Sequence, residues 1–256
     1  MMTSSPQCPQ LSVILPVYNE SEAILPVLQE LVDLLRDRFP GTWEVLPVDD
    51  GSTDDTAERI AAFAADIPEV RLIRLARNAG QSGALWMGFR EARAEWIATL
   101  DADGQNDPAD LPALWEARDG YDAVFGYRAS RKDTWSKRIG SKWANAVRNL
   151  ILREEIRDTG CAVKIFRKSL TERLIPWNGM HRFFGSLFAM QAAKIHQMPV
   201  NHRPRGAGTS KYTNWGRLKK TVRDLFGMRW LRTRYVHVAL RTTLDATLDA
   251  PLDEES

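Results

Sequence analysis

Apolar and polar positions alternate in blocks along the first half of the chain. LSVILPVYNE is a short continuous apolar run closed by Pro, Asn and Glu, the pattern of a strand buried on both faces of a parallel sheet. Ile24, Leu25, Leu28, Leu31, Leu34 and Leu35 then recur at helical spacing, with Ser21 as a candidate cap. WEVLPVDDGSTDDT predicts a second strand, a turn and a helix start. Pro47 removes a ladder donor from that strand, so a bulge or a locally unpaired position is expected there. VRLIRLA (Val70 to Ala76) predicts a third strand, Gly80 to Ala94 a helix, EWIATLDAD a fourth strand and YDAVFGYR (Tyr121 to Arg128) a fifth.

Strands alternating with helices predict an α/β fold, a twisted and mostly parallel sheet with helices on both faces. Ligands of such sheets bind beyond the carboxyl ends of the strands. Three polar clusters fall there: Asn19-Glu20, Asp49-Asp50, and Asp101 to Asp107. The second half is less regular. Lys137 to Leu152 has helical spacing, and RDTGCAVKIFRK reads as a turn and a strand. Ala189 to His196 is expected to finish a helix, MPVNHRPR to form a further strand, and GAGTSKY a polar loop. Trp215 to Tyr235 is basic and amphipathic, with Leu218, Val222, Leu225, Phe226, Met228, Trp230 and Leu231 as its apolar side. Gly227 is expected to break or bend it into a helix pair.

The 256 residues carry a net charge of only +2, but the distribution is uneven. Arg203 to Arg241 holds eleven basic residues against one acid, Asp224, and the last fifteen residues hold acids and no base. An anionic partner for the basic zone is expected, whether phosphate, nucleic acid or lipid headgroup. Nucleic acid is disfavoured, because no reading motif is present and the acidic strand ends would repel a polyanion. Cys8 and Cys161 read as free thiols, and the four histidines lack metal-like spacing. The N-terminus lacks the regions of a secretory signal, and no window approaches the ~20 apolar residues that span a bilayer. A cytoplasmic location, or attachment to a membrane from that side, is the expectation.

LDADGQNDP carries the sharpest chemistry. On an extended segment residues two apart share a side, so Asp101, Asp103 and Gln105 are expected to converge. Such oxygen donors suit Mg²⁺ or Mn²⁺ held jointly with substrate phosphates. Asp107 is a candidate cap for a helix at Pro108. Asp49 and Asp50 fit either a turn or the recognition of ribose or base, with Asp50 the stronger candidate. No GxGxxG and no GxxxxGK[ST] is present, so a metal and basic side chains must hold any phosphates. Arg128, Arg205 and Lys211 are the candidates, with Lys137 and Arg138 behind them.

VILPVYNE, VDDGSTDDT, ARNAGQSGAL and LDADGQNDP, in this order and spacing, resemble an inverting family 2 glycosyltransferase with a GT-A fold. FGYR, RDTGCAVKIFR, HRF and VNHRPRGAGTSKY are similar to the branch of dolichyl-phosphate mannose synthases and bacterial polyprenyl-phosphate glycosyltransferases. The resemblance covers roughly Leu11 to Tyr235. It implies that Pro16, Tyr18, Glu20, Val48 and Asp50 hold the nucleotide's base and ribose. Asp101, Ala102, Asp103 and Gln105 would bind metal and diphosphate, Arg128 would face the acceptor phosphate, and Arg205 and Lys211 would close over the donor diphosphate. Asp103 and Arg128 would be the catalytic pair, with Lys137 and Arg138 supporting the acceptor phosphate. Two departures from the branch pattern are Gly104 after Asp103 and Asn106-Asp107-Pro108 after the Gln.

The implied reaction moves a sugar from a UDP- or GDP-linked donor to the phosphate of a polyprenyl carrier, with inversion and with Mg²⁺ or Mn²⁺. The expected organisation is a disordered N-terminus (1–10), a GT-A domain (11–213), basic amphipathic helices facing a membrane or partner (214–241) and an acidic disordered tail (242–256). Those helices would meet the membrane surface or a separate integral membrane protein. The rival reading is a family 2 transferase acting on a hydroxyl of an envelope glycan or glycolipid. It needs a general base, for which Asp158 is the candidate.

Overall fold

The computed structural model describes residues 8–39, 42–129, 148–204 and 214–236. The apolar runs form strands β1 (Leu11–Val17), β2 (Trp43–Asp49), β3 (Ile73–Arg74), β4 (Trp96–Thr99), β5 (Ala123–Arg128), β6 (Lys164–Arg167) and β7 (Ile195–Val200). The periodic stretches form α1 (Ile24–Arg38), α2 (Thr56–Ala64), α3 (Gly80–Glu91), α4 (Leu111–Glu116), α5 (Ser169–Glu172), α6 (Phe184–Ala189) and α7 (Asn214–Arg234). Short 3₁₀ turns occupy Pro108–Asp110 and Met180–Phe183.

The described strands make one sheet in the order β3-β2-β1-β4-β6-β5-β7. Pairing is parallel from β3 to β4 and between β5 and β7, whereas β6 runs antiparallel to both its neighbours. The chain leaves β1 for β2 on one side and later returns as β4 on the other. The crevice between the β1 and β4 ends is therefore the switch point at which such sheets bind ligands.

Each face of the sheet carries a core. On one, Ile24, Leu28, Leu31, Val32 and Leu35 of α1 pack on Leu11, Val13, Leu15 and Val17. On the other, Ala84, Leu85 and Phe89 of α3 join Ile14, Leu46, Val48, Phe125, Phe166, Phe184 and Phe188. Fully burying one such aliphatic side chain contributes about 1.5–3 kcal/mol, so the periodic apolar positions are what fix α1 and α3 to the sheet. Gly88 lets α3 settle on β1: a Cβ there would lie 2.5 Å from Ile14 Cγ2.

Pro47 behaves as its missing N–H requires. The β1–β2 ladder is continuous, with Leu15 opposite Pro47. On the other edge, Val45 bridges Val70 and pairing resumes only at Val48–Ile73. By strand alternation the Pro47 nitrogen faces that gap. The gap also shortens the third strand to Ile73–Arg74, less than the expected Val70 to Ala76.

Other elements differ from the sequence reading. Ile195 and His196 begin β7 and do not finish a helix: α6 ends at Ala189, Ala192 turns the chain at φ +60°, and Ile195 pairs with Ala123. Ser21 does not cap α1, which starts at Ile24; it hydrogen-bonds Asp54. Helix α3 stops at Glu91, short of Ala94. Strand β7 ends at Val200, and beyond it His202 forms an isolated bridge to Asn106.

Helix α7 runs unbroken through Gly227, so there is one helix where a pair was expected. Its Leu225 and Met228 are buried in the second core, and Arg229 and Arg232 donate to the carbonyls of Ile151 and Leu152. Val222, Phe226 and Trp230, four residues apart, face outward. No helix among the described residues is long and apolar enough to cross a membrane. Cys8 and Cys161 are free thiols.

Candidate active site

Three loops meet beyond the β1, β2 and β4 ends. The first two brace each other. Asn19, at φ +53°, donates its N–H to Ser52 Oγ (2.9 Å) and accepts from the Thr53 N–H at its Oδ1 (2.8 Å). The Glu20 N–H donates to Thr56 Oγ1 at 3.0 Å. Tyr18 and Glu20 are thus presented on a loop whose shape is set by the Ser52-to-Thr56 segment. That segment, expected as a turn and a helix start, here also serves as scaffold.

Asp50 is buried at 3 % exposure, and its Oδ1 accepts the Ala79 N–H at 2.7 Å. Burial pushes its carboxyl above the usual range, against the backbone hydrogen bonds from Ala79 and Gly80 that pull it down. Gly51, at φ +69°, permits this contact: a Cβ there would lie 2.9 Å from the Arg77 carbonyl carbon and the Asn78 nitrogen. VDDG and ARNAG are therefore one structural unit, although about thirty residues separate them in sequence. Val48 is fully buried in the second core, so its side chain is a support beneath this unit. Pro16 faces the β4 side just past the last β1–β4 pair, Ile14–Thr99, where no ladder donor is needed. Its ring lines the crevice.

The acidic stretch is a turn and not an extended segment, which corrects the alternation argument for its convergence. Gly104 sits at φ +72°, a conformation that suits glycine. The Gln105 N–H donates to Asp103 Oδ1 (3.1 Å), the Asp101 N–H to Asn106 Oδ1 (2.7 Å), and Gln81 Nε2 to Asp101 Oδ1 (2.9 Å). Ala102 is buried. Asp107 accepts the Ala109 N–H at 3.0 Å and so caps the turn at Pro108, as its position suggested. Arg203 straps this turn from outside: its N–H donates to the Gln105 carbonyl and its guanidinium reaches Asp107 (2.7 Å) and Glu30 (2.8 Å). Those carboxylates hold the Arg203 guanidinium well above its ordinary value, outweighing the burial that would lower it.

Among the described residues no three His, Cys, Asp or Glu side chains are grouped to hold a metal ion by themselves. Two carboxylates and an amide within one turn fit a different case. This hard-oxygen set suits Mg²⁺ or Mn²⁺, which keeps waters and shares its coordination with substrate phosphates. Asp101, Asp103 and Gln105 are the residues that would hold it.

Opposite lies the antiparallel strand β6 with the end of β5. Arg128 grips Asp158 through Nε (2.7 Å) and Nη2 (2.9 Å), both side chains about one-seventh exposed. Burial works against the Arg128 charge, but Asp158 more than restores it and raises the guanidinium above its ordinary value. A Cβ at Gly160 would lie 3.0 Å from Arg128 Nη2, so glycine there lets the guanidinium lie across the 158–160 turn. Between the two halves is a cavity of about 250 Å³. Pro16, Gln81, Thr99, Asp101, Cys161, Lys164, His181 and Arg182 are among its lining residues. His181 Nδ1 lies 2.8 Å from Ser82 Oγ, which also accepts the Gly179 N–H.

Of the residues singled out from sequence, Pro16 and Asp101 line this cavity. Arg128 stands at its wall beside Gly160, and Tyr18, Glu20 and Asp50 belong to the braced loops next to it. Lys137, Arg138, Arg205 and Lys211 lie outside the described residues. Gln81, Lys164, His181 and Arg182 were not singled out. Gln81, His181 and Arg182 fall inside quoted motifs, and Lys164 inside RDTGCAVKIFR, but no spacing rule marks them.

Residues 12–175 match the model of glycosyl transferase family 2. Among curated proteins, the chain is 34% identical over 209 residues to the dodecaprenyl-phosphate galacturonate synthase of Rhizobium johnstonii, covering 79% of this chain and 62% of that protein. It is 37% identical over 206 residues to an undecaprenyl-phosphate 4-deoxy-4-formamido-L-arabinose transferase of Pectobacterium carotovorum, with the same coverage. The chain thus spans a little under two thirds of the length of these relatives. A similar solved structure is glucosyl-3-phosphoglycerate synthase of Mycobacterium tuberculosis with Mn²⁺, UDP and glucosyl-3-phosphoglycerate (TM-score 0.63, 19% identity, 88% of this chain and 80% of that one). That likeness supports the GT-A fold.

Proposed function

Because the chain belongs to glycosyl transferase family 2, we propose that it transfers a sugar, with inversion, from a nucleotide-diphosphate donor to a polyprenyl phosphate at the cytoplasmic face of a membrane. One observation carries this reading. The cavity at the switch point is lined by the Asp101 carboxylate and the Gln81 amide together with the cationic side chains of Lys164 and Arg182. A metal–diphosphate held from Asp101 and an anionic group met by the cations fit that combination.

When bound, a divalent cation supplies charge stabilisation to the departing nucleoside diphosphate. The protein's own residues do the rest. Asp50, held by Ala79, is set to accept hydrogen bonds from the ribose or base, and Tyr18 and Glu20 flank it on the braced loop. Asp101 is oriented by Gln81. Arg128 is held at the wall by Asp158, and Arg205 and Lys211 would complete the diphosphate clamp in this reading. A phosphate monoester has a second pKa of about 6 and is already ionised at neutral pH. No general base is then required, and the acceptor needs only cationic positioning.

The hydroxyl-acceptor alternative requires such a base at Asp158. Both carboxylate oxygens of Asp158 accept hydrogen bonds from Arg128, and Oδ1 also accepts the Gly160 N–H. That engagement favours the phosphate acceptor. The outward stripe of Val222, Phe226 and Trp230, flanked by exposed Arg223, Arg229 and Arg234, supports contact with an anionic membrane surface.

The testing experiment is a transfer assay with purified protein, Mn²⁺ or Mg²⁺, short-chain polyprenyl phosphate and a panel of radiolabelled UDP- and GDP-sugars. Label entering the lipid phase with one donor, and lost in chelator, is the expected result. Label passing only to hydroxyl acceptors would overturn the phosphate-acceptor reading.

A further inference from the structure

The transfer reading leaves Lys164 unexplained. It sits on β6, opposite Thr99 of β4 and Phe125 of β5, at 5 % exposure, and its side chain lines the cavity. Its ammonium donates to the Cys161 carbonyl and lies 5.5 Å from the centre of the Phe125 ring. An ammonium has three protons to donate, and that carbonyl takes one. Burial and the nearby Arg128 push the Lys164 ammonium below its ordinary value, while the carboxylates of Asp101 and Asp158 pull it back.

Those two carboxylates have other partners. Asp158 is held at both oxygens by Arg128, and Asp101 accepts from Gln81 and is one of the residues suited to a divalent cation. In a loaded site the negative charge near Lys164 is therefore already matched. A buried cation without a counter-charge is costly, by several kcal/mol per ion. The cavity side is where compensation can come from, and Arg182 and His181 line the same cavity.

We propose that Lys164 is a catalytic residue whose ammonium contacts an anionic group of the substrate inside this cavity, at the point where the transferred sugar meets its acceptor. Two groups have the required chemistry: the phosphate monoester of the acceptor, and a carboxylate carried by the transferred sugar. The proposal rests on the transferase reading and adds to it a residue and a charge requirement.

The test compares wild type with Lys164→Met and Lys164→Arg. Calorimetry measures binding of UDP with Mn²⁺, of UDP-glucose, of UDP-glucuronate, and of farnesyl phosphate to the UDP–Mn²⁺ complex. Transfer from both donors is measured alongside. Lys164→Met is expected to bind UDP with Mn²⁺ as wild type does and to lose transfer by about 100-fold, the scale of removing one charge-stabilising donor. Lys164→Arg is expected to recover part of the loss. Weakened farnesyl phosphate binding, with both donors affected alike, assigns the contact to the acceptor phosphate. A loss confined to UDP-glucuronate assigns it to a sugar carboxylate.

Unchanged binding and transfer in Lys164→Met would overturn the proposal. So would a parallel loss of UDP binding and thermal stability in both variants, which marks a structural ion. If wild type binds neither farnesyl phosphate nor UDP-glucuronate in preference to UDP-glucose, the anion contact falls, whatever transfer shows. Wild type that transfers only to hydroxyl acceptors removes the acceptor reading while leaving the uronate comparison to judge Lys164.

Discussion

The two halves of the sheet are built to different electrostatic plans. From β3 to β4 every pairing is parallel, and the strand ends carry Asp49, Asp50, Asp101 and Asp103, held by backbone N–H groups and amides. From β6 to β7 an antiparallel strand intervenes, and the cavity wall carries Arg128, Lys164 and Arg182. Parallel strand ends gather backbone donors that can hold carboxylates in place. The reversed strand delivers Lys164 into the same crevice, Arg128 stands at the end of β5, and Arg182 comes from the turn at Met180–Phe183. In the proposed reading, carboxylates meet the donor with its metal and cationic side chains meet an anionic acceptor within one crevice.

The sharpest blow to the acidic half is Asp103→Asn. It is expected to lower transfer by about 10²–10³-fold and to abolish metal-dependent nucleotide binding, while leaving the thermal unfolding midpoint unchanged. In the cationic half, Arg128→Ala strands the Asp158 carboxylate. Loss of one partner of a fully buried pair costs about 3–5 kcal/mol, and the residual exposure of both side chains here brings the expected loss to roughly 2–3 kcal/mol, read by urea denaturation. Acceptor KM should rise in that variant with nucleotide affinity intact. A nucleotide defect as large as the acceptor defect would erase the distinction between the halves.

Gly88→Ala tests the frame under both. The added methyl would meet Ile14 Cγ2 at 2.5 Å and should cost about 1–3 kcal/mol of stability without altering ligand affinity per folded molecule. The pH dependence of nucleotide binding tests the acidic half alone. Asp50 binds its proton more tightly in the fold than in the unfolded chain. Falling pH through that raised value therefore adds stability through Asp50 while removing the ionised acceptor a ribose needs. Nucleotide affinity should drop on the acid side with no loss of folding attributable to this group. Smallest is Arg203→Ala, whose exposed pairs with Glu30 and Asp107 should be worth under about 1 kcal/mol, visible as a slight fall in thermal midpoint.

How far the sequence carried depends on the range of the interactions concerned. Strands β1, β2, β4 and β5 and helices α1 and α3 follow from local periodicity, and Pro47 announced its unpaired edge. The helix expected through Ala189 to His196 failed because pairing of Ile195 with Ala123, seventy-two residues away, outweighs local pattern. The acidic turn was chemically legible, but its shape was not, since Gly104 and the Asn106 side chain curl it. Asp50 was legible as a carboxylate at a strand end. Its clamp on Ala79 was not, because that contact depends on Gly51 fitting beneath Arg77 and Asn78. Lys164 left no local trace at all: its place in the cavity comes from β6 lying reversed beside Thr99.

The most direct test of the charge division is calorimetric titration of UDP and of GDP into wild type, Asp103→Asn and Arg128→Ala, each with Mn²⁺ and with chelator. One nucleotide is expected to bind wild type and Arg128→Ala only when the metal is present, and to bind Asp103→Asn in neither condition. Metal-independent binding, or binding lost in Arg128→Ala while Asp103→Asn retains it, would contradict the assignment of donor to the acidic half and acceptor to the cationic one.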